Sequence, residues 1–107
     1  MANATTLQTD IRKGPIFERD GVRAVRLGVR AGAEVPTHAS NADVIAVVVR
    51  GSGTFTVAGA ARPIAPGDVV EMKPNTPHSI LAREDLELVV LHCRLGGGVG
   101  PISCGAH

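Results

Sequence analysis

Short apolar runs, broken at close intervals by glycine and proline, constrain the fold of this chain more than any other feature. Residues 25–30 alternate apolar and polar side chains, which is the period of a strand with one buried face. Residues 44–49 are continuously apolar and rich in β-branched side chains, which is typical of a strand buried on both faces. No segment of useful length carries helical periodicity. The pattern therefore predicts an all-β sandwich or barrel, and patterning alone does not separate these two.

Turn signals divide the rest of the chain into further short strands. Gly51-Ser52-Gly53 is typical of a hairpin turn, residues 58–61 form a second turn, and Pro66-Gly67-Asp68 marks a third. Pro74 and Pro77 exclude a helix between them. The predicted strands cover residues 6–12, 25–30, 34–40, 44–50, 54–57, 69–72, 78–82 and 86–93.

Length and composition limit the classes of function. A chain of 107 residues forms one domain with a modest core. The net charge is +1 with both signs scattered, so neither a nucleic acid nor a membrane surface is expected as a partner. Phe17 and Phe55 are the only aromatic residues besides histidine, which removes the stacking platforms that single-stranded nucleic acids need. The core must be aliphatic.

The chain start and the two cysteines bear on location. Residues 1–5 lack the basic start of a signal peptide, and no apolar run reaches membrane-spanning length. A cytoplasmic location is therefore expected. Cys93 and Cys104 would then be reduced thiols, with a disulfide between them as the alternative.

Two histidine segments framed by glycine and proline lie about forty residues apart, at residues 32–38 and 66–78. The first runs from Gly32 through Pro36 to His38, and the second ends at His78. These segments resemble the two sequence motifs of the cupin family, and the resemblance covers residues 20–93. It implies a double-stranded β-helix, a small jelly-roll barrel with its site inside. The chain then divides into an N-terminal arm (1–20), the barrel (21–93) and a glycine-rich tail (94–107).

The resemblance also implies a reduced metal motif. Cupins carry two histidines and a glutamate in the first motif and one histidine in the second. His38 and His78 match this pattern, whereas Ser40 and Val44 stand where the other histidine and the glutamate would be. Two imidazoles leave most of a metal shell to water. The pair is either vestigial, within an apolar pocket, or part of a weak or rebuilt site for zinc, nickel, manganese or iron that other residues complete.

Other donors could complete such a site. His92 and Cys93 are neighbours in the last strand, so one of them must face the interior, although a rim or core-packing role is the ordinary expectation. Cys104 and His107 would reach the site only if the tail folded over a barrel mouth.

Three arginines are further candidates for ligand binding. Arg23, Arg26 and Arg30 lie on or near one predicted strand, where they would either be solvated or grip an anionic ligand.

The predicted function is binding of a small molecule in a largely apolar barrel cavity with a degenerate two-histidine site. The alternative is a metal-dependent dioxygenase, isomerase or lyase acting on a small organic substrate. Metal-free acid–base catalysis by His38 and His78 is a third possibility, since histidine exchanges protons near neutral pH. Whether the chain is an enzyme stays open at this point. The expected ligand-binding residues are His38, Ser40, Val44, Ala46, Val48, Phe55, Met72 and His78.

A homodimer is the expected assembly. If Val44, Ala46 and Val48 line the interior, then Ile45, Val47 and Val49 form an apolar stripe on the outer face. A stripe of that length would be covered by another sheet or subunit.

Overall fold

The computed structural model describes residues 10–94, and this part of the chain forms two antiparallel sheets with no α-helix. The first sheet has the strand order β1-β2-β9-β4-β7, and the second has the order β3-β8-β5-β6. The predicted all-β jelly-roll fold is confirmed. The strands are β1 (Ile11–Arg19), β2 (Val22–Val29), β3 (Glu34–His38), β4 (Asp43–Arg50), β5 (Gly53–Val57), β6 (Ala60–Ile64), β7 (Val69–Met72), β8 (His78–Ala82) and β9 (Leu86–Cys93).

The core lies between the two sheets and is aliphatic apart from one aromatic ring, as the composition predicts. Phe55 from the second sheet and Leu88 from the first are 1% and 0% exposed. They belong to one buried cluster that draws side chains from both sheets. Burial of apolar surface stabilises the pairing of the sheets by about 25 cal/mol per Å².

Strand β4 contains the continuous apolar run of residues 44–49, and its two faces are buried to different degrees. Val44, Ala46 and Val48 are buried in the core, as predicted for the inner positions. The outer positions Ile45 and Val47 are half-buried, so only one face of the strand is fully covered. The expectation of a strand buried on both faces is therefore wrong within this chain.

The hairpin predicted at residues 51–53 is also wrong. Strand β4 lies in the first sheet and β5 lies in the second, so this segment crosses between sheets. Gly51 has φ +90°, and a Cβ atom there would collide with the backbone carbonyl of Asp85. Glycine is needed because the backbone is left-handed and passes close to another segment. Turn residues in a sequence indicate that the chain changes direction, but they do not indicate which sheet the next strand joins.

The turn predicted at residues 58–61 is shorter than expected. Ala58 and Gly59 adopt positive φ and connect β5 to β6, which starts at Ala60. Strand β6 pairs along the whole of β5. The sequence did not predict this strand, because its alanines carry no strand signal.

The first strand, β1, forms one edge of the first sheet and pairs along β2. It starts at Ile11, so the predicted strand at 6–12 overlaps it only at its end, and residues 6–9 lie outside the described part. A bulge between Pro15 and Phe17 shifts its register. Over residues 10–94, no helix is long and apolar enough to cross a membrane.

Candidate ligand cavity

His38 and His78 are brought together by a bulge in strand β3. Val35 lies opposite Ile80 in β8, but His38 lies directly opposite His78 because the register shifts by one residue between them. Without the bulge, Val35 and His38 would point to opposite faces, since successive side chains alternate. The two imidazole centroids are 4.3 Å apart, with the ring planes inclined at 59°. The predicted approach of these rings is present, but the prediction that both lie enclosed inside the barrel is not met, because His38 is exposed and only His78 is buried.

Both rings are oriented in the same way by the chain just before them. His38 Nδ1 lies 2.9 Å from the carbonyl oxygen of Pro36, and His78 Nδ1 lies 2.8 Å from that of Thr76. A carbonyl only accepts, so each Nδ1 carries the hydrogen and donates it. Each neutral ring therefore keeps its lone pair on Nε2. Either Nε2 can accept a hydrogen bond from a ligand or bind a metal.

The environment of His78 favours its neutral form. Burial lowers the pKa of His78 below its ordinary value of 6.5, the Thr76 carbonyl partly opposes this, and the nearby His38 lowers the pKa further. The side chain is only 7% exposed. Like charges in contact repel each other, which is why the nearby His38 opposes a positive charge on His78.

His92 is the third imidazole at this place. It lies opposite Arg23 of β2 on one side and opposite Val44 of β4 on the other. Its Nδ1 atom is buried, and no hydrogen-bond partner for it exists in the described part of the chain. Burial lowers the pKa of His92, and the positive charges of Arg23 and Lys13 lower it further. Of the neighbours His92 and Cys93, His92 is the one that faces the interior.

Cys93 points to the other face of β9 and is buried. It is disulfide-bonded, so the expectation of a reduced thiol at this position is wrong. Its sulfur is therefore not an available thiolate ligand in this form. Cys104 and His107 lie outside the described residues.

A cavity of about 150 Å³ lies between the sheets, next to the three imidazoles. Most of its wall is apolar, with Phe55 from the second sheet facing Ala46 from the first. Six of the eight predicted ligand-binding residues line it, together with Lys13, Arg23 and His92, which the sequence prediction left out of its site. The six are His38, Val44, Ala46, Phe55, Met72 and His78.

The other two predicted residues lie elsewhere. Val48 is buried in the core and does not line the cavity. Ser40 lines a more open cleft of about 650 Å³, which shares Arg23 and His92 with the cavity. Ser40 Oγ accepts a hydrogen bond from the backbone N–H of Ala42 at 3.1 Å, so the side chain closes a local turn. The cleft therefore forms the mouth outside the cavity.

Lys13 and Arg23 had a partial signal in the sequence. Arg23 is in phase with Val25 and Leu27 on β2, and this phase places it on the inner face. Lys13 lies opposite Leu27, which only the pairing of β1 with β2 reveals. Long basic side chains at strand positions are ordinarily solvated, so the sequence alone did not assign these two residues to the site.

The residues between positions 10 and 94 do not by themselves complete a metal site. Within residues 10–94, no group of three His, Cys, Asp or Glu side chains is arranged to hold a metal ion. Asp43, the nearest carboxylate in the sequence, precedes the inward-facing Val44 and lies opposite Cys93 on the other face of the sheet. His38 and His78 supply two nitrogen donors, fewer than the three or four that a resident transition metal needs.

Comparison with known proteins agrees with this architecture. The family model described as a cupin domain matches residues 25–93. No curated protein sequence matches the chain. A Streptococcus pyogenes protein of unknown function has a similar structure at TM-score 0.73 and 17% identity, covering 88% of this chain and 90% of that one.

Two further structures show the same fold. A cupin superfamily protein from Desulfitobacterium hafniense is 13% identical at TM-score 0.73, covering 87% of this chain and 83% of that one. Salicylate 1,2-dioxygenase from Pseudaminobacter salicylatoxidans is 18% identical at TM-score 0.77, covering 83% of this chain but 28% of that one. At such identities the likeness shows the fold alone. Because the family model matches well over half of the sequence and the two-sheet barrel agrees with it, the chain belongs to the cupin family.

Proposed function

We propose that this cupin binds a small organic molecule in the cavity between its sheets. The observation that carries the proposal is the cavity itself, about 150 Å³ with buried apolar walls and imidazoles converging at one side. Ligand sites are commonly concave and apolar, with a few polar groups that fix orientation. A cavity of this volume can hold a molecule about the size of benzene.

The imidazoles give the cavity its orienting groups. Since His38 and His78 both use Nδ1 to hold backbone carbonyls, their Nε2 atoms remain for a hydroxyl or amide hydrogen of a ligand. Apolar contact with Phe55, Ala46 and Met72 would supply most of the affinity. In support of this class of ligand, the related dioxygenase has been solved as adducts with gentisate.

Nuclear magnetic resonance on the full chain tests the proposal. Benzyl alcohol and benzamide would be titrated into labelled protein while methyl signals are followed. We expect shifts at Val44, Ala46 and Met72, which line the cavity, and none at Val69, which lies on the outer surface. If the outer methyl moves as much as the cavity methyls, or if no probe shifts the cavity signals, the proposal is wrong.

The second candidate is a metal-dependent cupin enzyme acting on a small organic substrate. It is favoured by the two Nε2 lone pairs, because metal-bound histidines commonly donate the other ring hydrogen to a backbone carbonyl. His38 and His78 would be its ligands, with zinc, nickel, manganese or iron as the metal. Titration of metal-free protein with each ion decides between the candidates. Binding tighter than about micromolar that His78→Ala abolishes would favour the enzyme.

We also propose that two copies of the chain pair through the outer face of the first sheet. Val69 is 54% exposed and lies opposite Val47, whose side chain shares that face. Val49 lies at the register shift near the end of β4 and is 50% exposed. An apolar surface of this kind is stabilised when a second copy covers it.

A further inference from the structure

The polar part of the cavity wall is basic. Lys13 and Arg23 lie there beside the imidazoles of His38, His78 and His92, and within the described chain no Asp or Glu side chain contributes to the lining. Lys13 and Arg23 are exposed, so water screens their charges in part, whereas His78 is buried and His92 half-buried. The cavity therefore has a positive potential that an anion would relieve.

Arg23 forms no ion pair within residues 10–94. Its neighbour across β1 is Glu18, but the ion pairs found in residues 10–94 do not include these two side chains. Glu18 lines the mouth cleft rather than the cavity. On the outer face of the same strand, by contrast, Arg26 lies 2.6 Å from Glu87. Among the described residues, the outward Arg26 has a carboxylate partner and the inward Arg23 does not.

His92 adds a second, independent observation. Its buried Nδ1 lacks a hydrogen-bond partner in the described residues, although buried polar atoms ordinarily have one. His92 lies directly opposite Arg23 in the β2–β9 ladder. The imidazole can carry hydrogen on either nitrogen, so a turn of the His92 ring would let it and the Arg23 guanidinium donate to the two oxygens of one planar anion.

Most of the remaining cavity lining suits an apolar body. Ile80, Val35 and Leu27 join Phe55 in its wall. A doubly charged anion such as phosphate would have to lose more hydration there than two exposed cations return. A carboxylate carries one charge and can be attached to a compact hydrocarbon.

We propose that the cavity binds a small organic monocarboxylate, with its hydrocarbon body between the sheets and its carboxylate against Arg23 and His92. This inference rests on the proposed function, because it names the chemical class of the ligand for the same cavity. Lys13 lies close enough to the same end to add a second positive charge.

Calorimetric titration of the full chain with benzoate, benzamide and acetate, in the presence of EDTA, tests the proposal. Benzamide lacks the negative charge of benzoate, and acetate lacks its hydrocarbon body. We expect benzoate to bind roughly tenfold tighter than benzamide, as hydrogen bonds to a charged group imply. Acetate should bind more weakly than benzoate, because it has no body to fill the apolar part.

Two variants that each remove one positive charge test where the ligand's carboxylate binds. Arg23→Gln removes the cation at the mouth, whereas Arg12→Gln removes one at the outer surface, where Arg12 lies opposite Gly28. Both side chains are exposed, so both variants should fold, as circular dichroism will verify. We expect Arg23→Gln to weaken benzoate binding roughly tenfold and benzamide binding much less, because the amide carries no charge. Arg12→Gln should change neither.

The outcomes separate this inference from the proposed function. The carboxylate assignment is overturned if benzoate and benzamide bind with equal affinity. It is also overturned if Arg23→Gln and Arg12→Gln lose the same benzoate affinity. Either result leaves small-molecule binding intact. Acetate binding as tight as benzoate overturns the role of the apolar body. If none of the three probes binds, both proposals are overturned.

Discussion

His92 lies directly opposite Val44 in the β4–β9 ladder, with a buried nitrogen that has no hydrogen-bond partner in the described chain. The family resemblance matches Val44 to the glutamate of the first cupin motif. The position to which the resemblance assigns a carboxylate is therefore flanked by an imidazole. His38, His78 and His92 line one cavity, and a carboxylate at residue 44 would join them.

Val44→Glu should create a metal site. A third donor beside His38 and His78 should tighten nickel or zinc binding by at least about tenfold, since affinity rises with the number of ligands. Without metal the variant should be less stable than the parent, because a buried carboxylate loses hydration. Adding metal should restore stability, since only the folded state binds it.

Thermal unfolding with and without metal, together with a direct titration, measures this. Val44→Gln is the matched control, with nearly the same shape and no charge, and it should show little gain. Equal metal affinity in the parent and in Val44→Glu would show that residue 44 does not face the histidines in solution.

Stability should fall as the pH drops from 7.5 to 5. The pKa values of His78 and His92 are lowered in the folded state below their ordinary value of 6.5. The unfolded chain therefore binds more protons than the folded one once the pH falls below about 6.5. The histidine contribution is fully present above that pH and is lost as the pH falls through the folded pKa values.

Urea unfolding at a series of pH values, with EDTA present, measures this effect. His78→Gln should flatten the curve between pH 7.5 and 5. Glu87 accepts hydrogen bonds from Arg50 and Arg26, which lower its pKa below the ordinary value of 4.5. Its effect on stability is therefore lost only below about pH 4.5, outside the range from pH 7.5 to 5. A parent protein whose stability is constant or rises on acidification to pH 5 would contradict the prediction.

Gly51→Ala should destabilise the protein more than Gly59→Ala. Both glycines have left-handed φ, +90° and +84°, which costs alanine about 1–2 kcal/mol. A Cβ atom at Gly59 meets nothing within 4 Å, whereas one at Gly51 collides with the Asp85 backbone. Overpacking adds about 1–3 kcal/mol to the cost at Gly51. Chemical denaturation gives both free energies, and equal losses would mean that the crossover between the sheets can move aside.

Val69→Glu should dissociate the proposed homodimer. The side chain lies on the outer face opposite Val47, where a charge would have to be buried between the two copies. Leu81→Glu is the control, because Leu81 is similarly exposed, at 48% against 54%, and lies in the other sheet. Light scattering at micromolar concentration measures the mass. A monomeric parent, or a dimer lost equally in both variants, would reject pairing through this face.

Several strands were predictable from local pattern alone. The bounds of β7, β8 and β9 agree with the prediction, because alternating or β-branched residues run between clear turn signals. The inner and outer faces of β4 also follow from its phase. By contrast, β6 was missed, since Ala60 and Ala61 resemble a continuing turn.

The family resemblance brought His38 and His78 into the candidate site, but not their neighbours. Arg23 and Lys13 are ordinary exposed cations in sequence, and their place in the cavity depends on the pairing of β2 with β1 and β9. His92 and Cys93 were alternatives until the register of β9 assigned the inner face to His92.

The sequence by itself determined where strands lie, which side of most strands is apolar and which family the chain resembles, because these depend on side chains a few residues apart. Only the tertiary structure decided that residues 51–53 cross between sheets and that a bulge turns His38 towards His78. Strand pairing depends on contacts between residues far apart in the chain. A one-residue shift in register moves every later side chain to the other face, and no local pattern records that shift.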